Sequence, residues 1–350
     1  MRIVVVGATG NVGTSTVEAL AADPAVEQIV GVARRRPGQE RTKVEWRQAD
    51  IRDADLVSLF RGADAVVHLA WLIQPSRDLA TVRSVNVDGS RRVFDAVAEA
   101  QVPALVYASS VGAYSPGPKD RAVNESWPTG GIRSSFYSRH KAEVERLLDA
   151  FEAQQPDVRV VRLRPGLIFK RGAASGIRRL FAGPLLPSPL VRKELIPIVP
   201  DVPNLRFQAV HSLDVGEAYR LAATGDARGA FNIAADPVLD PQELGRLLDA
   251  RPVRVPGAML RAGALVTWKL RLQPSPPGWV DMALQVPLLD TTRARTELGW
   301  TPRHSSGEAL LELIEGMHDS AGEPTPPLAS DTGGRFRSRE FMTGVGREAR

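Results

Sequence analysis

Tyr137-Ser138-Arg139-His140-Lys141 sets a phenol and an amine four residues apart, the interval that brings two side chains onto one face of a helix. An ammonium beside a phenol favours phenolate and lowers its pKa from about 10, so the pair could exchange a proton with a substrate hydroxyl or carbonyl. A second grouping is Gly7-Ala8-Thr9-Gly10-Asn11-Val12-Gly13. Gly7 allows a tight reversal, Gly10 lets backbone approach a pyrophosphate, and Gly13 lets a helix pack closely on a strand, while the helix N-terminus offers N–H groups and a positive dipole end. Gly7, Thr9, Gly10, Asn11, Val12 and Gly13 are therefore expected to hold a dinucleotide. Such folds usually present, about 20 residues later, an acid for a ribose 2′-hydroxyl or an arginine for a 2′-phosphate. Here Ala33 is followed by Arg34, Arg35 and Arg36. The expected cofactor is NADP in preference to NAD, with Arg34 and Arg35 on the phosphate. Asp50-Ile51 could cap the adenine by hydrogen bond and apolar contact, and Asp50 could equally cap a helix beginning at Ala54.

The elements that must position these groups alternate. Ile3 to Val6 is a β-branched run ended by the glycine turn, the pattern of a strand buried on both faces. Helical spacing follows over Thr14 to Ala22, then a strand over Gln28 to Ala33, a helix over Asp55 to Phe60 and a strand over Ala65 to Ala70. A helix over Val87 to Ala100, a strand over Ala104 to Ala108, a helix over Phe136 to Phe151 and a strand over Val158 to Leu163 complete the series. Alternating strands and helices predict an α/β chain: a Rossmann-type doubly wound parallel sheet in residues 1–165. Beyond Arg164-Pro165-Gly166, prolines such as Pro184 and Pro187 break the chain, and residues 166–320 are expected to form a smaller α+β substrate domain interleaved with the sheet. Its pieces include an apolar-basic helix over Met259 to Leu272 and a last helix over Gly307 to Met317. Residues 321–350 lose periodicity and predict a disordered tail.

Composition narrows the classes. The 350 residues contain no cysteine, which excludes disulfides and thiolate chemistry. Lys and Arg number 45 against 40 Asp and Glu, a net charge of +5. Basic stretches at Arg34 to Arg52 and Arg159 to Lys193 lack the aromatic interleaving of nucleic-acid binders, so no nucleic-acid partner is expected. No apolar stretch reaches the roughly 20 uninterrupted residues of a membrane span, and no secretory leader precedes the first strand, which places the protein in the cytoplasm. Met259 to Leu272 admits a membrane-surface role, though a helix packed over the substrate pocket is the stronger reading. His68, His211 and His304 read as structural, and no clustering of His, Asp and Glu suggests a metal.

Taken together, GATGNVG (7–13), ADIRD (49–53), VVHLAW (66–71), VNVDGSRRVFDA (85–96), VYASSVGAY (106–114), YSRHK (137–141), RLRPGLIF (162–169), HSLD (211–214), FNIA (231–234) and DTTRARTELGW (290–300) make the chain resemble the extended short-chain dehydrogenase/reductase family, its NAD(P)-dependent epimerase/dehydratase group. The resemblance implies that Ser110 holds the reacting oxygen, Tyr137 is the general acid/base and Lys141 its activator and a ribose ligand. It also implies that Asn86 contacts the cofactor, that Leu69, Ala70 and Trp71 line its nicotinamide side, and that Gly166 borders the nicotinamide. Departures shape the expected reaction. Val111 and Gly112 stand where sugar dehydratases carry an acidic pair, and Leu167 and Phe207 replace residues that grip a nucleotide diphosphate. Trp71, Leu72, Ile73, Trp127, Leu167 and Phe169 could line a less polar pocket. The reading is a reductase or dehydrogenase acting on a small-molecule alcohol or ketone. The alternatives are a nucleotide-sugar epimerase and a non-catalytic dinucleotide-binding module. Relatives of this kind often form homodimers, which the resemblance would place on the helices over 87–100 and 136–151.

Overall fold

A computed structural model describes residues 1–73, 77–181 and 188–331. The expectations for Pro184, Pro187 and the tail beyond 331 fall outside these residues.

The first half of the chain runs β1 (Arg2–Val6), α1 (Asn11–Ala22), β2 (Gln28–Ala33), β3 (Val44–Gln48), α2 (Leu56–Phe60), β4 (Ala65–His68), α3 (Leu79–Arg83), α4 (Gly89–Glu99) and β5 (Ala104–Ala108). It continues through β6 (Ala122–Val123), α5 (Phe136–Gln154), β7 (Arg159–Pro165), β8 (Leu167–Phe169) and α6 (Ala174–Phe181). The rest comprises β9 (Ile198–Asp201), β10 (Ala209–His211), α7 (Ser212–Thr224), β11 (Gly229–Ile233), α8 (Pro241–Leu248), β12 (Arg251–Arg254), α9 (Gly257–Lys269) and α10 (Gly278–Gln285). β13 (Leu288–Leu289), α11 (Thr292–Thr296) and α12 (Ser306–His318) complete it.

Seven parallel strands form the central sheet in the order β11-β7-β5-β4-β1-β2-β3. The chain steps outward from β1 to β3 and then crosses to β4, so the order reverses between β1 and β4. In doubly wound sheets that reversal opens a crevice beyond the carboxyl ends of the strands. Ile3, Val4 and Val5 are fully buried because helices cover both faces. One face packs Val17 and Leu20 of α1 with Tyr219 of α7 and Trp300, and the other packs Val93, Phe94 and Val97 of α4 with Leu148 of α5. A third core joins Phe169, Leu244 and Leu313.

Residues 166–320 enter the sheet layer through β11 and α7. α7 lies so close to α1 that a Cβ on Gly216 would fall 2.5 Å from Ser15 O, and the Ser15 and Ser212 hydroxyls share a 2.9 Å hydrogen bond.

Two expectations are corrected. Asp50 does not cap the helix after it; Asp55 does, its carboxylate accepting from Ser58 N–H at 3.1 Å, while Asp50 accepts from Arg52. The capping carboxylate must lie next to the first turn, and α2 starts at Leu56, too late for Asp50. Residues 321–331 were expected to be disordered and are docked instead. Thr325 donates to Thr9 O at 2.9 Å, Glu323 pairs with Lys170 at 2.5 Å, and Leu328 is buried. Composition registers the lack of periodicity here but not partners contributed by distant chain.

Candidate active site

The glycine loop sits at the reversal point. Gly7 has φ +92°, and a Cβ there would lie 2.6 Å from Ala70 N, so the turn after β1 touches the turn after β4. A Cβ on Gly13 would lie 2.2 Å from Gly7 O, which ties the first turn of α1 to the loop. Gly10 is different. A Cβ there would meet only Gly7 O at 3.6 Å, so no protein neighbour demands glycine at the N-cap of α1. That helix start has no side-chain cap, and Asn11 Oδ1 is buried without a partner. Open backbone and uncapped N–H groups suit the pyrophosphate of a dinucleotide. Thr9 is nearly buried, and its carbonyl receives the Thr325 hydroxyl.

Arg34 and Arg35 are exposed just beyond β2; burial would raise the Asp50 carboxyl, but the hydrogen bonds and charge of Arg52, with a smaller contribution from Arg34, hold it below its ordinary value. Ile51 is buried against Gly89. Asn86 has both ends of its amide engaged with one residue. Its Oδ1 accepts from Leu72 N–H at 2.7 Å and its Nδ2 donates to Leu72 O at 2.6 Å, so this side chain fixes the turn that carries Leu69, Ala70 and Trp71. Gly166 is glycine for a packing reason, since a Cβ there would lie 2.5 Å from Gln208 O.

Ser110, Tyr137 and Lys141 converge beyond the end of β5. Ser110 follows that strand and caps a short turn by accepting from Gly112 N–H at 3.0 Å. Tyr137 stands in the first turn of α5, whose N-cap is Ser135. Lys141, one turn on, donates to Ala108 O at 2.6 Å and lies 3.5 Å from the centre of the Trp71 indole and 5.9 Å from that of the Tyr137 ring. Burial outweighs the expected effect of the lysine on the phenol. Burial pushes Tyr137 up to about 12, with its hydrogen bond to Ser110 acting the other way. Burial also holds Lys141 well below the usual lysine value, against the pull of the Glu145 charge. Burial disfavours the charged form of both groups.

A sequence profile described as the NAD dependent epimerase/dehydratase family matches residues 3–234. The chain belongs to that family. An uncharacterized Mycobacterium tuberculosis protein is 25% identical over 331 residues, covering 90% of this chain and 83% of its own length. An L-arabinose 1-dehydrogenase (NAD(P)(+)) of Haloferax volcanii is 41% identical over 110 residues, 31% of this chain and 41% of its own. Among solved structures, the UDP-glucose 4-epimerase of Thermotoga maritima with UDP-glucose has a TM-score of 0.68 at 21% identity, covering 91% of this chain and 99% of that one. The dTDP-glucose 4,6-dehydratase DesIV of Streptomyces venezuelae, with NAD bound, has a TM-score of 0.66 at 18% identity, covering 91% and 97%. These likenesses establish the fold, and the family is one of NAD-dependent enzymes of the extended short-chain dehydrogenase/reductase type.

In this member of the family, three groups around Tyr137, namely Trp279, Met282 and Ile132, lie outside the motifs, and two, Trp71 and Val111, lie within them. Trp279 of α10 lies 5.0 Å from the Tyr137 ring, centre to centre, and Trp71 lies 5.9 Å away on an edge. Met282 approaches from the same helix, and Ile132 and Val111 extend the apolar surround. Nothing in the local pattern of α10 links it to Tyr137, because they meet only through the fold. Leu167 and Phe169 pack in the third core, and Trp127 packs with Tyr114 and Leu289 in a cluster that shares Val111 with the surround of Tyr137. Glu145 was also missed. It is fully buried one turn beyond Lys141, and it accepts from Ser109 at 2.5 Å, from Arg162 at 2.9 Å and from Arg164 at 2.8 and 2.9 Å. Its place four residues after Lys141 on one helix face was the available signal. Among the described residues no group of three or more His, Cys, Asp or Glu could hold a metal ion, and no helix is long and apolar enough to cross a membrane.

Proposed function

We propose that the chain is an NADP-preferring oxidoreductase that interconverts an alcohol and a ketone on a substrate of low polarity. The convergence of Tyr137, Ser110 and Lys141 beside the glycine loop carries this reading. Residues 1–165 bind the cofactor and residues 166–320 shape the substrate site. Bound NADP supplies or accepts the hydride. The chain's own groups do the rest. Gly7, Thr9, Gly10, Asn11, Val12 and Gly13 seat the pyrophosphate, Arg34 and Arg35 meet the 2′-phosphate, and Asp50 and Ile51 border the adenine. Leu69, Ala70, Trp71 and Gly166 flank the nicotinamide end, with Asn86 as the brace of that turn. Tyr137 moves the proton at its phenolic oxygen, Ser110 orients the reacting oxygen by hydrogen bond, and Lys141 binds the ribose once the Trp71 indole yields its place.

The low-polarity substrate rests on what encloses the phenol. Trp71, Trp279, Met282 and Ile132 provide apolar surface, whereas positions suited to gripping a diphosphate are otherwise engaged: Leu167 and Phe207 pack in an apolar core, and Arg206 is held by Asp240 at 3.5 Å and Lys119 O at 3.1 Å. A nucleotide-sugar epimerase is the second reading, favoured by solved neighbours that carry UDP-glucose or NAD. A cytoplasmic location and a homodimer complete the proposal.

The deciding experiment screens apolar alcohols and ketones, together with nucleotide sugars, for formation or loss of the reduced cofactor's near-ultraviolet absorbance. Turnover of an apolar carbonyl, lost about 10²- to 10⁴-fold in Tyr137→Phe, is the expected result. Epimerisation of a nucleotide sugar without net change in absorbance would replace this reading by the second.

A further inference from the structure

α9 presents the wrong side to water. Helices of water-soluble proteins turn apolar positions inward and polar ones outward. In α9, Met259, Ala262, Gly263 and Val266, with Leu270 just beyond, recur at the spacing of one helix face, and all five are exposed; Met259 is 65%, Val266 54% and Leu270 64% accessible. The opposite side of the helix faces protein: the Arg77 guanidinium lies 4.4 Å over the Trp268 ring and donates to Trp268 O. The strand feeding α9 continues the feature, since β12 exposes Val253 and its partner β9 exposes Ile198.

Along the segment itself the charge has one sign, the acids beside it being Asp281 and Asp201, the register partner of Arg254. Residues 251–272 contain Arg251, Arg254, Arg261, Lys269 and Arg271 and no acid. Arg261 is paired with Asp281 at 2.8 Å, whereas Arg271 stands close enough to Arg77 that its charge, after burial, holds that guanidinium below its ordinary value. Two cations drawn together at the end of an exposed apolar stripe are stabilised by an anion between them.

We propose that α9 and the end of β12 dock on the surface of an anionic lipid bilayer, the apolar stripe entering the headgroup boundary and the flanking bases meeting lipid phosphates. Interfacial helices bind by this combination of buried apolar area and attraction to anionic lipid. A second copy of this chain would present the same excess of positive charge, so the charge pattern disfavours self-association through this face. The proposal is independent of which reaction Tyr137 supports.

The test pellets the full chain with vesicles of phosphatidylcholine alone and of phosphatidylcholine mixed with equal parts phosphatidylglycerol. The chain is expected to pellet with the anionic vesicles, to pellet far less with the neutral ones, and to be released by high salt, which screens the surface potential. Val266→Glu combined with Leu270→Glu should abolish pelleting with the melting temperature unchanged, and Lys269→Gln with Arg271→Gln should weaken it by about tenfold or more. Failure of the unaltered chain to pellet with anionic vesicles, or retention of pelleting by the Glu double variant, would overturn the proposal. So would light scattering that shows a dimer split by the same Glu substitutions, which would make the face a contact between copies.

Discussion

Glu145 joins α5 to β7 by holding two arginines with one buried carboxylate. Those hydrogen bonds keep its carboxyl at about 2, below the usual 4.5, although burial acts in the opposite direction. Removing it in Glu145→Ala would leave Arg162 and Arg164 buried with one fewer counter-charge, a change expected to cost ~3–5 kcal/mol in a urea unfolding titration. His68 gives a pH signature. It is fully buried beside Ser90 at 2.9 Å, and burial lowers its pKa from 6.5 to about 3. A depressed histidine adds stability that is complete above pH 6.5 and declines as pH falls toward the folded value. Unfolding free energy should therefore drop by up to ~1.4 kcal/mol per pH unit below 6.5, and His68→Gln should flatten that slope. Trp71 offers an optical readout. Its indole occupies the Lys141 ammonium at 3.5 Å, so titration with NADP should alter tryptophan emission, and Trp71→Phe should remove most of the change. Tyr137 and Lys141 were legible because chain spacing alone places them together. Trp279 and Met282 were not, because the residues that bring them to the phenol lie in the other half of the chain.

The loop between β1 and α1 contains glycines with different duties. Gly13→Ala would drive a methyl group into Gly7 O at 2.2 Å, and a loss of ~1–3 kcal/mol or failure to accumulate is expected on thermal unfolding. Gly10→Ala has only a 3.6 Å neighbour, so its melting temperature should stay near that of the parent while dinucleotide affinity, measured by calorimetry, falls about tenfold or more. Most elements were legible in the same way. Ile3–Val6 and Gln28–Ala33 are apolar runs bounded by turn residues, and the structure has strands there. The expected helix over Val87 to Ala100 begins instead as a π-helical turn at Ser84–Asp88 before α4, because the Asn86 amide must reach the backbone of Leu72 and periodicity cannot register such a constraint. α11 and β13 are too short to leave a periodic trace.

Across the molecule, the outward sides of α4 and α5 carry Arg91, Arg92, Asp95, Arg139, Arg146 and Asp149, so a homodimer formed there would be charge-paired rather than apolar and should weaken in molar salt by light scattering. The docked segment 321–331 was the part least legible in sequence, because Thr325, Glu323 and Leu328 gain order only from Thr9, Lys170 and the surrounding packing. Thr325→Val should lower stability by ~0.5–1.5 kcal/mol and loosen hydrogen exchange in the glycine loop.

That latch joins positions 316 residues apart. During synthesis the glycine loop is made 316 residues before the segment that fastens it, so a growing chain would hold Ser110, Tyr137 and Lys141 long before that loop is clasped. A single proteolytic nick ahead of Glu323 would return the finished enzyme to that juvenile condition.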